Sequence, residues 1–391
     1  MRNLLGKKLR ASPFQSFLDD IAVLGVRPVT ERGRRFAVIA ARSNPRWWLV
    51  PLDNRRATVA GLQMLQPVTL SARLSKAGGM AIARFGPHTL LSRDLLRLSG
   101  LPDLSEAFSG RAEHVAYFTG TDGPHRKSAL QVMDSEGAIL GYAKLSRMPH
   151  VRPYLYNEKV MLAHVAAMKL RSADVPRVLA FRDDGTVTLL VTDSLKSVTH
   201  TSPKFLVPEH IAFLAELRRH TEHRGADELL DKILVQTRAN YAAILGPVWA
   251  NRLVRLEAIL RPYANTIPLC LGHGDFTPWN TFMQSGRLYV FDWEYARPDW
   301  PVGYDLAHFL LSTLPASDQP DQLPNLIRTL ADTQFGGVTT YAVRALLLSL
   351  ACHALFYINR LREAGSPLED WIDGSARAVL IDRIINQEIT L

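Results

Sequence analysis

Leu271-Gly272-His273-Gly274-Asp275-Phe276-Thr277-Pro278-Trp279-Asn280, followed by Leu288-Tyr289-Val290-Phe291-Asp292-Trp293-Glu294, is the stretch on which the fold of this chain turns. Each half places polar groups beside a run of apolar residues, the pattern of loops that border strands. A carboxylate such as Asp275 can accept a hydroxyl proton, and Asn280 and Asp292 carry hard oxygen ligands of the kind Mg²⁺ prefers. Taken singly, an Asp or Asn in such a place is a turn or cap residue. The order and spacing give the set its meaning: His-x-Asp, Asn five residues after the Asp, then an apolar run that ends in Asp.

With that spacing the chain resembles the aminoglycoside phosphotransferase and choline kinase superfamily, whose loop has the form H-G-D-x-x-x-x-N where protein kinases have H-R-D. Phe291-Asp292-Trp293-Glu294-Tyr295-Ala296 extends the likeness, because choline-kinase-like members carry a similar aspartate followed by an aromatic and a glutamate. No D-F-G glycine follows Asp292 and no A-P-E segment is visible, which argues against a protein kinase. The resemblance implies a two-lobed, kinase-like α+β fold over residues 112 to 391, with a five-stranded antiparallel small lobe, a mainly helical large lobe and a nucleotide between them. It implies ATP, or GTP, as phosphoryl donor and a small-molecule hydroxyl as acceptor, on an amino-alcohol, a sugar or an aminoglycoside-like compound. In those terms Asp275 would take the hydroxyl proton, Asn280 and Asp292 would hold Mg²⁺, and His273 would bond within the loop. Asp305, in Val302-Gly303-Tyr304-Asp305-Leu306, stands where related kinases keep an aspartate that braces the catalytic loop from a helix start.

Upstream, short apolar runs at 115–118, 129–133, 138–145, 177–181 and 187–191 predict the five strands. Thr119-Gly120-Thr121-Asp122-Gly123 is the turn between the first two, and Gly120 and Gly123 would let backbone N–H groups approach phosphates. Lys144 on the third strand is the candidate phosphate-binding lysine. Glu158, fourteen positions later in a segment that reads as helical from Pro153 to Leu170, is its candidate partner. Protein kinases keep a small Ala two residues before this lysine, packed on adenine, where this chain has Tyr142. Asp193, in Thr192-Asp193-Ser194-Leu195, is placed at the hinge whose backbone would bond the base. Beyond it the periodicity turns helical at 211–220, 229–245 and 249–260, and again at 338–362 and 366–389.

At 391 residues the chain has room for two or three domains, and 47 % hydrophobic against 21 % charged residues excludes large-scale disorder. Two cysteines, Cys270 and Cys352, cannot build a disulfide framework, so a reducing cytoplasm is the expected compartment. The longest apolar stretch, Ala345 to Ile358, is shorter than a bilayer span and reads as a buried helix, so no transmembrane segment is expected. The net charge of +9 is uneven: residues 1 to 112 hold 18 Lys and Arg against 7 Asp and Glu, which leaves −2 for the remainder. That asymmetry predicts a separate basic α/β module over 1–110 with an anionic partner, ahead of a small lobe over 111–195 and a large lobe over 196–391. Its first elements read as a hairpin from Phe36–Ala40 and Trp47–Val50 around Ser43-Asn44-Pro45, with Arg46-Trp47-Trp48 able to stack on a ligand. A kinase fold without catalysis, binding a nucleotide or partner, is the alternative; Lys144, Asp275, Asn280 and Asp292 all being present argues against it.

Overall fold

The computed structural model describes residues 12–41, 45–65, 70–92, 94–121, 123, 125–197 and 199–386. The tip of the predicted hairpin at Ser43-Asn44, Asp122 of the glycine turn and the end of the predicted C-terminal helix lie outside those residues. The chain divides into two compact units, Met1–Ala166 with Val175–Thr201, and Ala167–Asp174 with Ser202–Leu391.

The first unit is organised around one eight-stranded sheet in the order β3-β1-β2-β4-β5-β6-β9-β8, every pairing in it antiparallel. The strands are β1 (Arg34–Ala40), β2 (Trp47–Pro51), β3 (Leu95–Leu98), β4 (His114–Phe118), β5 (Ser128–Met133), β6 (Ile139–Ser146), β8 (Val178–Asp183) and β9 (Thr188–Asp193). The five strands expected of the small lobe are present. The predicted hairpin is β1 and β2, with Ala40 opposite Trp47. The expectation of a separate module over 1–110 does not describe this sheet. Trp48 and Leu49 of β2 pair with Phe118 and Tyr117 of β4, so the first three strands continue the small-lobe sheet.

Alternation along the strands gives the sheet two apolar faces. One carries Phe36, Leu49, Val115, Tyr117, Leu130, Val132, Leu145 and Val191 and is covered by Phe14 and Phe17 of α1 (Ser12–Ala22). The other carries Ala116, Met133 and Ile139 and is covered by Ala57 and Ala60 of α2 (Arg55–Gly61), which precedes α3 (Leu70–Phe85). Asn54 caps α2 by accepting the Ala57 N–H at 3.1 Å. The small Ala and Gly surface of α2 permits close approach: a Cβ on Gly61 would meet the Ala116 Cβ at 3.1 Å. Farther along this face Val151 and Leu155, the latter in α4 (Arg152–Met168), pack on Leu190.

In the second unit β7 (Ala173–Asp174) pairs parallel with β13 (Arg287–Val290), itself antiparallel to β12 (Thr281–Gln284). A second small sheet joins β10 (His223–Arg224), β11 (Pro268–Gly272) and β14 (Arg297–Pro301). Around them stand α5 (Pro208–Thr221), α6 (Asp227–Asn240), α7 (Gly246–Leu260), α8 (Tyr304–Ser312), α9 (Leu323–Gln334), α10 (Thr339–Ala364) and α11 (Gly374–Ile385). The apolar run at 345–358 belongs to α10, which at 26 residues is longer than the run suggests and long enough to cross a bilayer. Burial rather than length decides its reading, since 78 % of its most apolar window is enclosed by the rest of the protein.

Candidate active site

β11 is buried along its whole length and delivers His273 and Gly274 to a loop that the start of α8 holds from below. The Asp305 carboxylate accepts the His273 N–H at 2.6 Å and the Gly274 N–H at 2.9 Å. Burial pushes the Asp305 carboxyl up from its ordinary range, while His273 and the two N–H bonds act the other way and favour the ionised form. Gly274 has φ +83°, and a Cβ there would overlap the Tyr295 carbonyl, so no other residue fits the turn. His273 is fully buried. Its Nδ1 accepts the Asp275 N–H at 3.3 Å, which fixes the proton on Nε2, and Nε2 donates to the Phe291 carbonyl at 2.9 Å. This imidazole ties the loop to the chain just past β13, next to Asp292.

Asp275 is held at both oxygens. Asn280 Nδ2 donates to its Oδ2 at 2.8 Å, and His308 Nε2 lies 3.0 Å from its Oδ1. Asn280 also donates to the Asp275 carbonyl at 2.9 Å, so its amide nitrogen faces Asp275 and its Oδ1 is left out of that contact. Asp292 adopts a left-handed backbone, φ 72° and ψ 55°, at the end of β13. A non-glycine residue held there is strained, and such strain clusters at functional sites. The carboxylates of Asp292 and Glu294 bring oxygens within 4.8 Å of one another, a separation one cation can span. The two carboxylates offer hard oxygen donors of the kind that suits Mg²⁺.

Sequence reasoning missed His308. Its signal was the spacing Asp305-Leu306-Ala307-His308, since positions three apart on a helix share a face, and Asp305 already faces the loop. His308 is nearly buried, and its Nδ1 has no hydrogen-bond partner among the described residues. Its ring lies over Tyr304, with centroids 6.1 Å apart, and 5.2 Å from His353, whose basicity burial, Arg377 and His308 depress. The tryptophans beside the motif divide: Trp293 is fully buried and gives its indole N–H to the Val290 carbonyl, whereas Trp279 is exposed. Trp293 is therefore a core residue.

In the first unit Lys144 Nζ lies 2.6 Å from both Glu158 oxygens. Glu158 is 2 % exposed and shares the inner face of α4 with Leu155, Leu162 and Val165, a position where a carboxylate persists only when paired. Gly120 has φ +79°, and a Cβ there would overlap the Lys127 carbonyl, so its glycine serves the turn's own closure; Gly123, at φ +131°, faces open space. Arg126, from the same turn, donates to the Thr119 carbonyl at 3.2 Å and pairs with the buried Asp20 of α1 at 2.7 Å. Asp193, expected at the hinge, is tied into the sheet. It is still within β9, opposite Gly141, and its N–H is bonded to the Arg177 carbonyl. Its carboxylate accepts the Arg177 N–H and Nε–H, both at 2.6 Å. The neighbouring Ser194 N–H bonds Leu140, so neither donor is presented to a base. Tyr142 stands on the face that α2 covers and gives its hydroxyl to Gln131, whose amide in turn bonds the Ala60 carbonyl.

Residues 106–347, more than half the chain, match the phosphotransferase enzyme family. A comparison with curated proteins finds no match. Among solved structures, the GDP and kanamycin complex of APH(2″)-IIia is similar at 15 % identity and a TM-score of 0.47, over 71 % of this chain and 95 % of that one. An aminoglycoside-3′-phosphotransferase of type VIII is similar at 18 % identity and a TM-score of 0.38, over 57 % and 87 %. A glucosamine kinase is similar at 14 % identity and a TM-score of 0.29, over 98 % and 93 %.

Proposed function

Since this chain belongs to the phosphotransferase enzyme family, we propose that it moves the γ-phosphoryl group of ATP to a hydroxyl of a small molecule. The observation that carries the reading is the Asp275 carboxylate clamped at both oxygens by Asn280 and His308, together with the Asp292 and Glu294 carboxylates that one cation can span. In the proposed reaction the acceptor oxygen bonds the γ-phosphorus, the bond to the diphosphate leaving group breaks, and the hydroxyl proton passes to Asp275. Fixing both oxygens of Asp275 aims the carboxylate without reorganisation during the reaction. Lys144, oriented by Glu158, supplies a fixed positive charge suited to phosphate oxygens. Mg²⁺ held by Asn280 and Asp292 would screen charge on the phosphates. The acceptor class, an amino-alcohol, a sugar or an aminoglycoside-like compound, belongs to this proposal, as does a cytoplasmic setting.

Asp292→Ala tests the metal half of the reading. Titration calorimetry of the folded variant is expected to show no Mg²⁺-dependent nucleotide binding. Unchanged MgATP binding would remove Asp292 from the ligand set.

A further inference from the structure

A cleft of about 650 Å³ in the first unit is walled by α2, the end of α3, the turn between β5 and β6, and residues 194–197. Its lining includes neither Lys144 nor Glu158. Lys196 opens into it while only 8 % exposed, and no carboxylate among the described residues lies within ion-pair distance of its ammonium. Burial, with Lys76 nearby, pushes its pKa down to about 8. A buried ammonium without a counter-charge is costly, and proteins pair such groups or neutralise them. The surrounding charges add to the imbalance. Arg56 is matched by Glu136, but Arg55 and Arg84 have no carboxylate partner among the described residues, and Arg55 bonds the Arg84 carbonyl at 2.8 Å. Phe85, 86 % exposed, stands beside these cations on the same wall.

We propose that this cleft binds an organic phosphate whose dianionic head pairs with Lys196, Arg55 and Arg84 and whose apolar body lies against Phe85. Three unmatched cations call for more than one negative charge, and the arginine forks fit phosphate oxygens. An aromatic wall beside them favours an ester over the free ion.

The test is titration calorimetry on the full chain, without nucleotide or Mg²⁺, using phenyl phosphate and inorganic phosphate as probes. Phenyl phosphate is expected to bind one saturable site, equally in the wild type and in Lys144→Met, and more tightly than inorganic phosphate. Lys196→Gln and Arg84→Gln should each weaken it about 10-fold, the scale of one charge-assisted hydrogen bond. Phe85→Ser should abolish the preference for the ester. No saturable binding, loss of binding in Lys144→Met, or normal binding in Lys196→Gln would overturn the site. Equal affinity for the two probes would overturn the ester. If Lys196→Gln does not fold, Arg55→Gln and Arg84→Gln, both at exposed side chains, decide the same question: normal binding in both would overturn the site.

Discussion

At the scale of single residues, the candidate catalytic loop was legible because its parts are close in sequence. Asp275, Asn280 and Asp292 lie within one short stretch, so spacing alone brought them together. Asp305 and His308 come from the next helix, and only the first of the pair was read. The geometry gives His308 a definite task, holding Asp275 Oδ1 while Asn280 holds Oδ2. His308→Leu is therefore expected to leave the fold intact and to lower turnover by up to about 10²-fold, the cost of roughly 1 Å of misplacement. Steady-state kinetics should place the loss in kcat more than in nucleotide KM. A wild-type kcat in this variant would make the contact incidental. A different residue-scale expectation concerns Asp20, whose carboxylate takes Arg126, Ser128 and Arg147. Asp20→Asn removes one partner of a buried ion pair, which costs about 3–5 kcal/mol. Urea unfolding with an unchanged midpoint would contradict it.

At the scale of elements, strands and helices followed local pattern, but their pairing did not. Val115 to Phe118 reads as a strand from its β-branched and aromatic residues, and it is one. Nothing in that tetrapeptide says that β2, more than sixty residues earlier, is its neighbour. Asp193 shows the same gap at a boundary, because the chain continues in the sheet past the last apolar residue of β9. Pairing also changes what truncation should do. A chain starting at Arg111 would expose the edge of β4, uncover Tyr117 and Val115 where α1 and β1 pack, and uncover Ala116 and Met133 where α2 packs. A long exposed apolar edge is an aggregation site. Such a fragment is expected to be insoluble or to lack a cooperative thermal transition in calorimetry. A soluble, cooperatively melting fragment would restore residues 1–110 to the status of an independent module.

At the scale of the molecule, the chain combines a phosphotransferase-family region with an N-terminal third whose strands share the same sheet. The basic excess of that third was visible in composition, and Arg55 and Arg84 now give part of it a location. What composition could not convey is that Lys196, from outside the basic third, opens into the same cleft, because that contact depends on how distant segments fold together. The acceptor is similarly illegible: helices beyond Ser202 present buried aromatic and histidine side chains whose grouping no local pattern records. The measurement that tests the central claim most directly is a mass-resolved comparison of a metabolite extract before and after incubation with the purified protein and MgATP, run beside Asp275→Asn. The account predicts a new species heavier by one phosphoryl group with the wild type. It also predicts formation slowed by about 10² to 10⁴ with Asp275→Asn, the range for loss of a general base. A folded Asp275→Asn protein that forms the same species at the wild-type rate would contradict it.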